Sequence, residues 1–280
     1  MRALPFAIAI ALAVILAQPA LRVLRDGGHT RPNYRARALP WPFGVLIVVA
    51  ATLALVPVLL IERIGHTAIL YSEVWVPVAV YALGVACLGL IDDVFGDRPG
   101  ASNPRGWRGH ARATLDGELS TGALKAGGSL GLALLAMGSL GLAVGRWLLA
   151  VAVLVLATNA LNLLDLRPGR AIKALVVLGA GVTIGTGDTK TFWTLGLFVG
   201  PALAAGWFDL RERALLGDTG SNLLGALAGL WLVLSLGQTD QLIALGVLVA
   251  LNLYGELFSI SGLIEKVPLL RGLDSWGRPA

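Results

Sequence analysis

Charged residues are scarce in this sequence. Asp, Glu, Lys and Arg make up 14% of its 280 residues, whereas hydrophobic residues make up 56%. Soluble domains are about a quarter charged, so this composition excludes an ordinary soluble domain. Apolar runs of about 17–21 residues with almost no charge recur along the chain, and each is long enough to cross a hydrocarbon core about 30 Å thick. The sequence therefore predicts an all-α, polytopic membrane protein whose first partner is the lipid bilayer.

Cysteine and histidine are also scarce. The only cysteine, Cys87, lies inside an apolar run, which excludes an internal disulfide bond and a cysteine-ligated metal site. No two of His29, His66 and His110 have the spacing of zinc ligands, so a zinc site is not expected. The net charge of +5 would suit nucleic acid only if the basic residues shared one face. The basic residues are instead concentrated in loops on one side of the membrane, so no nucleic-acid partner is expected.

Nine apolar runs are predicted to span the membrane within a single domain of residues 1–280. They cover residues 4–24, 43–61, 74–91, 126–145, 147–164, 171–187, 191–208, 221–237 and 240–258. With the N-terminus outside, only Arg2, Arg63, Arg146 and Lys190 of the 22 basic residues would lie outside. Because basic residues concentrate in cytoplasmic loops, we expect the N-terminus outside and the C-terminus in the cytoplasm. A cleaved signal peptide over residues 1–20 is the alternative for the first run.

Polar residues gather at the predicted cytoplasmic ends of three spans. Asp92, Asp93 and Asp97 follow the third span, Asn159, Asn162 and Asp165 close the fifth, and Gly217, Asp218, Thr219, Gly220 and Ser221 open the eighth. Carboxylates and amides are costly at membrane depth, so each is a functional candidate. The long inner loop, residues 95–124, precedes Lys125 and lies where a loop can meet a soluble substrate.

The spacing of these residues favours a shared site. Asn159, Asn162 and Asp165 are three apart and fall within an arc of about 120° on one helix face, so they can converge on one ligand. The aspartates that follow helices lie at the negative end of the helix dipole. We therefore expect a cation to compensate them.

Carboxylates, amides, one lysine and a glycine turn are together suited to Mg²⁺ and a diphosphate. Mg²⁺ takes oxygen ligands and usually links one or two carboxylates to substrate phosphates. A lysine would neutralise charge on a transferred phosphoryl group, and N–H groups at a helix N-terminus bind phosphate. Structural roles are the alternatives: Asp97 as a solvated residue, Asp218 as an N-cap and Lys125 as a snorkelling side chain.

At these residues the chain resembles the polyprenyl-phosphate N-acetylhexosamine-1-phosphate transferase family (glycosyl transferase family 4), which includes bacterial translocase I. The motifs that carry the resemblance are Asp92-Asp93, Lys125, Asn159-x-x-Asn162-x-x-Asp165 and Gly217-Asp218-Thr219-Gly220-Ser221. They are similar to the family's aspartate pair, its following lysine, its asparagine and aspartate motif and its metal-binding turn. The four motifs occur in the family's order, and the resemblance spans most of the chain.

The resemblance implies an enzyme at the cytoplasmic face of the inner membrane, acting in the synthesis of a cell-envelope glycan such as peptidoglycan. A polyprenyl phosphate would attack the β-phosphorus of a UDP-sugar, giving a polyprenyl diphosphate sugar and UMP. Mg²⁺ is the implied cofactor, with Mn²⁺ as a substitute, and a homodimer is compatible with the assignment.

The resemblance also implies roles for the motif residues. The implied catalytic residues are Asp92, Asp93, Lys125 and Asp218, with Asp92 or Asp93 orienting the lipid phosphate and Lys125 pairing with phosphate. The implied substrate-binding residues are Asn159, Asn162, Asp165, Gly217, Thr219, Gly220 and Ser221. The implied metal ligands are Asp218 and Asp165.

The late part of the chain differs from the best-known members of that family. Those members have ten spans and a late histidine-rich loop, whereas no histidine follows His110 here. Asp165 is followed by Leu166 rather than by glycine, and residues 264–274 resemble the tail of a shorter branch. We therefore expect a simple UDP-N-acetylhexosamine donor rather than the muramoyl-pentapeptide nucleotide of translocase I.

Three other functions remain as alternatives. An intramembrane prenyltransferase also uses aspartates and Mg²⁺, but the turn at Gly217 supplies only one carboxylate for a second cluster. A transporter or flippase would favour charges near the bilayer midplane, whereas these carboxylates gather at one face. A family member without activity would bind lipid phosphate only.

Overall fold

Helices form almost all of the structure, a computed structural model that describes residues 1–70, 72–96 and 121–279. Within these ranges the chain forms nine long helices, two short helices and one hairpin. The long helices are α1 (Leu4–Asp26), α2 (Val45–Ile64), α3 (Ser72–Phe95), α4 (Thr121–Gly138), α5 (Val144–Leu164), α6 (Arg170–Thr186), α7 (Lys190–Leu210), α8 (Gly217–Ser235) and α9 (Gln238–Leu257). The short helices are α10 (Ile260–Lys266) and α11 (Pro268–Ser275), and the hairpin pairs β1 (Thr30–Pro32) with β2 (Ala38–Pro40).

The prediction of an all-α, polytopic membrane protein is confirmed. Each of the nine predicted runs corresponds to one long helix among the described residues. Six of these helices, namely α1, α2, α3, α5, α7 and α9, are long and apolar enough to cross a membrane by length and composition. The number of spans and their orientation stay predictions.

Helix α8 lies at the centre of the bundle. It packs against α3, α5, α6 and α7, and every residue from Thr219 to Leu232 is buried. Small residues allow the close approach, because a Cβ atom on Gly225 would lie 2.5 Å from the Cα atom of Thr158 on α5. A helix that is apolar on all sides is typical of a core. Helix α8 therefore lies in the core, and the ends of neighbouring helices surround its first turn.

The outer helices surround this core. Helix α1 packs against α2 and α7, and Ala9, Ala13 and Ala17 on its inner face are fully buried. Helix α4 lies against α3 and α5, and α9 lies against α5. Large aliphatic side chains such as Val177 and Ile243 are exposed on the outer faces. Such broad apolar surfaces are those that lipid covers in a membrane protein.

Several boundaries differ from the prediction. The sequence predicts a break near Arg146, but a turn over residues 139–143 ends α4 earlier, with Gly141 at φ +62°. Arg146 consequently lies in the first turn of α5, and Lys125 lies one turn inside α4 rather than at its start. The hairpin was not expected, and α10 and α11 form where a short tail was expected. Asp97 and most of the long inner loop lie outside the described residues.

The hairpin is anchored beside the N-terminus of α8. The Leu215 N–H donates to the Pro40 carbonyl at 2.9 Å, and the Gly44 N–H donates to the Leu216 carbonyl at 2.9 Å. At the hairpin tip, the Asn33 amide donates to the Glu212 carboxylate at 3.1 Å. The segment between α7 and α8 is thus fixed by the connection between α1 and α2.

The C-terminal helices dock on the start of α6 through an ion-pair cluster. Arg170 donates two hydrogen bonds to the Asp274 carboxylate, at 2.7 and 3.0 Å, and Arg278 pairs with the same group. Burial alone would raise the pKa of Asp274, but its hydrogen bonds with Arg170 and the charges of both arginines outweigh burial and hold the pKa below its usual value. Arg278 also donates to the Pro168 carbonyl at 2.8 Å. The chain end is therefore tied to the loop between α5 and α6.

Candidate active site

Asp93 caps helix α8 from the end of α3. Its carboxylate accepts hydrogen bonds from the backbone N–H groups of Asp218 and Thr219, each at 2.8 Å, and from the Thr219 hydroxyl at 2.6 Å. Asp93 is 5% exposed. The sequence offered these N–H groups as a candidate phosphate site, but in this structure they donate to the Asp93 carboxylate. Asp93 therefore positions the turn that carries Asp218.

Lys125 joins the carboxylates of two helices. Its ammonium group donates to Asp92 on α3 at 2.9 Å and also to Asp218 on α8. All three side chains are partly buried. For Asp92, the expected compensating cation is thus a lysine from α4, whereas Asp93 accepts hydrogen bonds from the first turn of α8 instead. Asp218 does not cap its own helix, whose N-cap position is Leu216, so the N-cap alternative for Asp218 is wrong.

The glycines of the turn permit close packing. Gly217 has φ +70°, and a Cβ atom there would lie 2.7 Å from the Trp41 indole nitrogen and 2.8 Å from an Asp93 carboxylate oxygen. Gly220 faces Gly44 at the start of α2, where a Cβ on Gly44 would overlap the Gly220 backbone. The glycines of the motif are needed because α2, α3 and α8 meet at this turn.

The side chains of the motif at the end of α5 contact two different helices. The Ser221 hydroxyl donates to the side-chain amide oxygen of Asn162 at 2.8 Å, so the Asn162 side chain faces α8. The Asn159 amide is exposed and donates to Asn252 on α9 at 2.6 Å. The expected face is therefore wide enough to contact both α8 and α9. The structure brings Asn162 to the turn of α8 and leaves Asn159 on the side of α9.

Asp165 lies just beyond α5 and lines a cavity of about 190 Å³. Asp209, Gly217 and Asp218 line the same cavity. Burial raises the pKa of Asp165 well above its usual value, and the nearby carboxylates of Asp209, Asp218 and Asp93 raise it further. The site thus brings several carboxyl groups together beside the Lys125 cluster.

Sequence reasoning did not single out two buried carboxylates beside this cavity. Asp209, 2% exposed, accepts from the N–H groups of Gly169 at 2.6 Å and Leu216 at 3.4 Å. It thereby holds the N-terminal ends of α6 and α8. Glu212 accepts from Asn33 and Tyr34 of the hairpin, at 3.1 and 3.0 Å. Asp209 directly follows a predicted span at its inner end, which is the signal that identified the other aspartates.

The hairpin side of the cavity combines cations with aromatic rings. The Arg31 guanidinium lies 4.4 Å from the centre of the Trp41 ring, and that of Arg167 lies 5.3 Å from the centre of the Tyr34 ring. All four residues line the cavity. Arginine paired with an aromatic ring is suited to a planar, negatively charged ligand. Nothing in the spacing of the sequence predicted this contribution from the connection between α1 and α2.

The carboxylates fit a divalent cation held partly by substrate. Within residues 1–70, 72–96 and 121–279, no three His, Cys, Asp or Glu side chains come close enough together to hold a metal ion alone. Mg²⁺ usually takes one or two carboxylates, with phosphate and water completing its shell. None of the described residues donates a hydrogen bond to Asp165, although other carboxylates surround it. Asp165 and Asp218 therefore match the donor set that Mg²⁺ needs.

Comparison with known proteins identifies a family for this chain. No curated protein matches the chain. The family described as glycosyl transferase family 4 matches residues 75–236, which is more than half of the chain and includes every motif from Asp92 to Ser221. This protein is therefore a membrane-embedded transferase and belongs to glycosyl transferase family 4.

Proposed function

We propose that the protein transfers a sugar 1-phosphate from a UDP-sugar to polyprenyl phosphate. An oxygen of the lipid phosphate forms a bond to the β-phosphorus of the donor. The bond between that phosphorus and the bridging oxygen breaks, and UMP leaves with the bridging oxygen and its electron pair. The product is a polyprenyl diphosphate sugar for a cell-envelope glycan.

The observation that carries the proposal is the bridge from Lys125 to Asp92 and Asp218. It joins three of the four family motifs, and Asn162 and Asp165 bring the fourth to the same turn. Lysine held between two carboxylates keeps its positive charge, because both partners favour the charged form. A fixed cation beside a small polar cavity is suited to a diphosphate.

The residues take different parts in this proposal. Lys125 stabilises negative charge on the transferred phosphoryl group. Asp92 orients Lys125, whereas Asp93 holds the first turn of α8. Arg31 and Arg167, each beside an aromatic ring, bind the nucleotide part of the donor. A lipid phosphate is mostly dianionic at neutral pH, since its second pKa is about 6, so the attacking oxygen needs no general base.

Mg²⁺ is part of the proposal, with Mn²⁺ as a substitute. Asp218 and Asp165 would hold the ion. When bound, it would supply positive charge that offsets the negative charge of the donor diphosphate and of the departing UMP.

The proposed setting is the inner membrane, with the site on the cytoplasmic side. The four motifs meet at one end of the bundle. The hairpin and the C-terminal helices lie at the same end, through the contacts of Glu212 and Pro168. The predicted topology assigns these same segments to the cytoplasm. The agreement supports the placement of these segments on one side of the membrane, because charge patterning and packing are independent observations. The sorting of basic residues is what assigns that side to the cytoplasm.

A donor panel tests the proposal. Purified protein is assayed for UMP release with polyprenyl phosphate, Mg²⁺ and UDP-N-acetylglucosamine, its epimers or the muramoyl-pentapeptide nucleotide. We expect turnover with a simple UDP-N-acetylhexosamine and a kcat/KM at least about tenfold lower for the pentapeptide donor, because the cavity is small and no histidine follows His110. Equal or better use of the pentapeptide donor would contradict the donor assignment. If no donor gave UMP release, the remaining interpretation would be a family member without activity that binds lipid phosphate only.

A further inference from the structure

A second cavity lies beside α6 and α7 and shares no lining residue with the cavity that Asp165 lines. It measures about 440 Å³ and runs between α6, α7 and α11. That volume is within the range of about 300–1,000 Å³ found for small-molecule sites. Its walls are almost entirely apolar, and Ala174, Val177, Leu203 and Leu273 are among the residues that form them. We call this cavity the lateral groove.

The lateral groove opens toward the surface that lipid covers. Val177 on α6 and Trp207 on α7 are 69% and 52% exposed, and both line the groove. Leu273 on α11 and Trp276, which directly follows α11, line the other side. A hydrocarbon chain in the groove would therefore be continuous with the bilayer around α6 and α7.

The polar end of the groove has the character of a membrane interface. Trp207 and Trp276 lie there, and tryptophan is enriched where a helix meets the headgroup region. Lys173 lines the groove and donates to the carbonyls of Leu273 and Asp274, at 2.9 and 2.7 Å. This arrangement fastens α11 across the end of α6.

Positive charge predominates at this end. Asp274 is balanced by Arg170 and Arg278, so it does not cancel the charge of Lys173. Arg211 lies over the Trp207 ring, 4.5 Å from its centre, and Arg271 is exposed on α11. Basic groups next to an apolar face attract anionic lipid headgroups.

We propose that the lateral groove binds an anionic phospholipid of the leaflet nearest the active site. One acyl chain lies between α6, α7 and α11, and the headgroup lies near Arg211, Arg271 and Lys173. The occupant is a bilayer lipid rather than a second copy of the chain, because the groove is continuous with the lipid-facing aliphatic surface. The bound lipid would fix α11, and through Arg278 and Pro168 the loop that carries Asp165.

Native mass spectrometry of the full chain in detergent tests the proposal. Phosphatidylglycerol and phosphatidylcholine with identical acyl chains are added in separate titrations. We expect the wild type to bind phosphatidylglycerol about tenfold more tightly. Ala174→Phe, which fills the groove, should weaken phosphatidylglycerol binding by about tenfold. Ala11→Phe, an equal change at an exposed position on α1, should not alter it.

If Ala174→Phe does not fold, a second variant still tests the proposal. Arg211→Gln combined with Arg271→Gln should remove the preference for phosphatidylglycerol and leave phosphatidylcholine binding unchanged. Equal binding of both lipids by the wild type would overturn the proposal. So would displacement of phosphatidylglycerol by an equal concentration of polyprenyl phosphate, which would assign the groove to the acceptor lipid.

Discussion

Asp92 and Asp93 are adjacent in the chain but have different surroundings. Asp92 shares Lys125 with Asp218, whereas both oxygens of Asp93 accept hydrogen bonds from the first turn of α8. The sequence identified the pair as functional but could not divide the roles. That division depends on how α3 is rotated against α8, and neighbouring residues on a helix differ by about 100°.

Removal of the Asp93 carboxylate should destabilise the protein. Asp93→Ala leaves two N–H groups and one hydroxyl without their acceptor in a buried position. Hydrogen bonds to a charged group contribute about 1.5–3 kcal/mol each, so we expect a loss of about 3 kcal/mol or more and a clearly lower thermal midpoint in detergent. Asp26→Ala, at an exposed helix end, is the control. An unchanged midpoint for Asp93→Ala would contradict the capping role.

Among the side chains of the predicted site, Asn159 has a neighbour that could not be predicted from the sequence. Its three-residue spacing from Asn162 predicted that both can converge on one ligand, whereas in the structure Asn162 contacts Ser221 on α8 and Asn159 faces α9. The sequence did not reveal that α9 packs beside this part of α5, where Asn252 accepts from Asn159. Asp209 was missed for a different reason, because it is a lone aspartate without a motif around it.

At the scale of helices, composition predicted which segments are helical more accurately than it predicted where each helix ends. Length and hydropathy predicted one helix for each of the nine runs, since the bilayer sets the length of an apolar segment. The end of α4 was misplaced because Gly141 adopts a positive φ within an otherwise apolar stretch. The hairpin was missed because its short strands gain their stability from contacts with residues 212–216, which are distant in sequence.

The close approach of α3 and α8 can be tested by a glycine substitution. Gly89→Ala would place a Cβ atom against the Asp218 carbonyl, so the two helices must separate and the Lys125 bridge must lengthen. We expect a stability loss of about 1–3 kcal/mol and a fall in UMP release. Gly131→Ala on α4, where a Cβ would meet nothing within 4 Å, should be neutral or stabilising by up to about 1 kcal/mol. Equal behaviour of the two variants would contradict the close approach.

At the scale of the whole molecule, the topology is testable without activity. We expect reporter fusions after Arg105 and after Ala280 to report cytoplasm, and a fusion after Gly187 to report the outside. The reason is the sorting of basic residues, of which only Arg2, Arg63, Arg146 and Lys190 fall outside. Paired alkaline phosphatase and green fluorescent protein fusions give opposite signals on the two sides. An outside signal at Arg105 or Ala280 would overturn both the orientation and the cytoplasmic site.

The central claim is that the Lys125, Asp92 and Asp218 cluster performs a transfer that needs a divalent cation. The most direct measurement is UMP release by Asp218→Asn with polyprenyl phosphate, a UDP-N-acetylhexosamine and a titration of Mg²⁺ or Mn²⁺. Asp240→Asn, in the first turn of α9, is the matched control. We predict that Asp218→Asn loses at least about 100-fold in kcat with an unchanged thermal midpoint, and that Asp240→Asn retains wild-type turnover. Near wild-type UMP release by Asp218→Asn would contradict the claim.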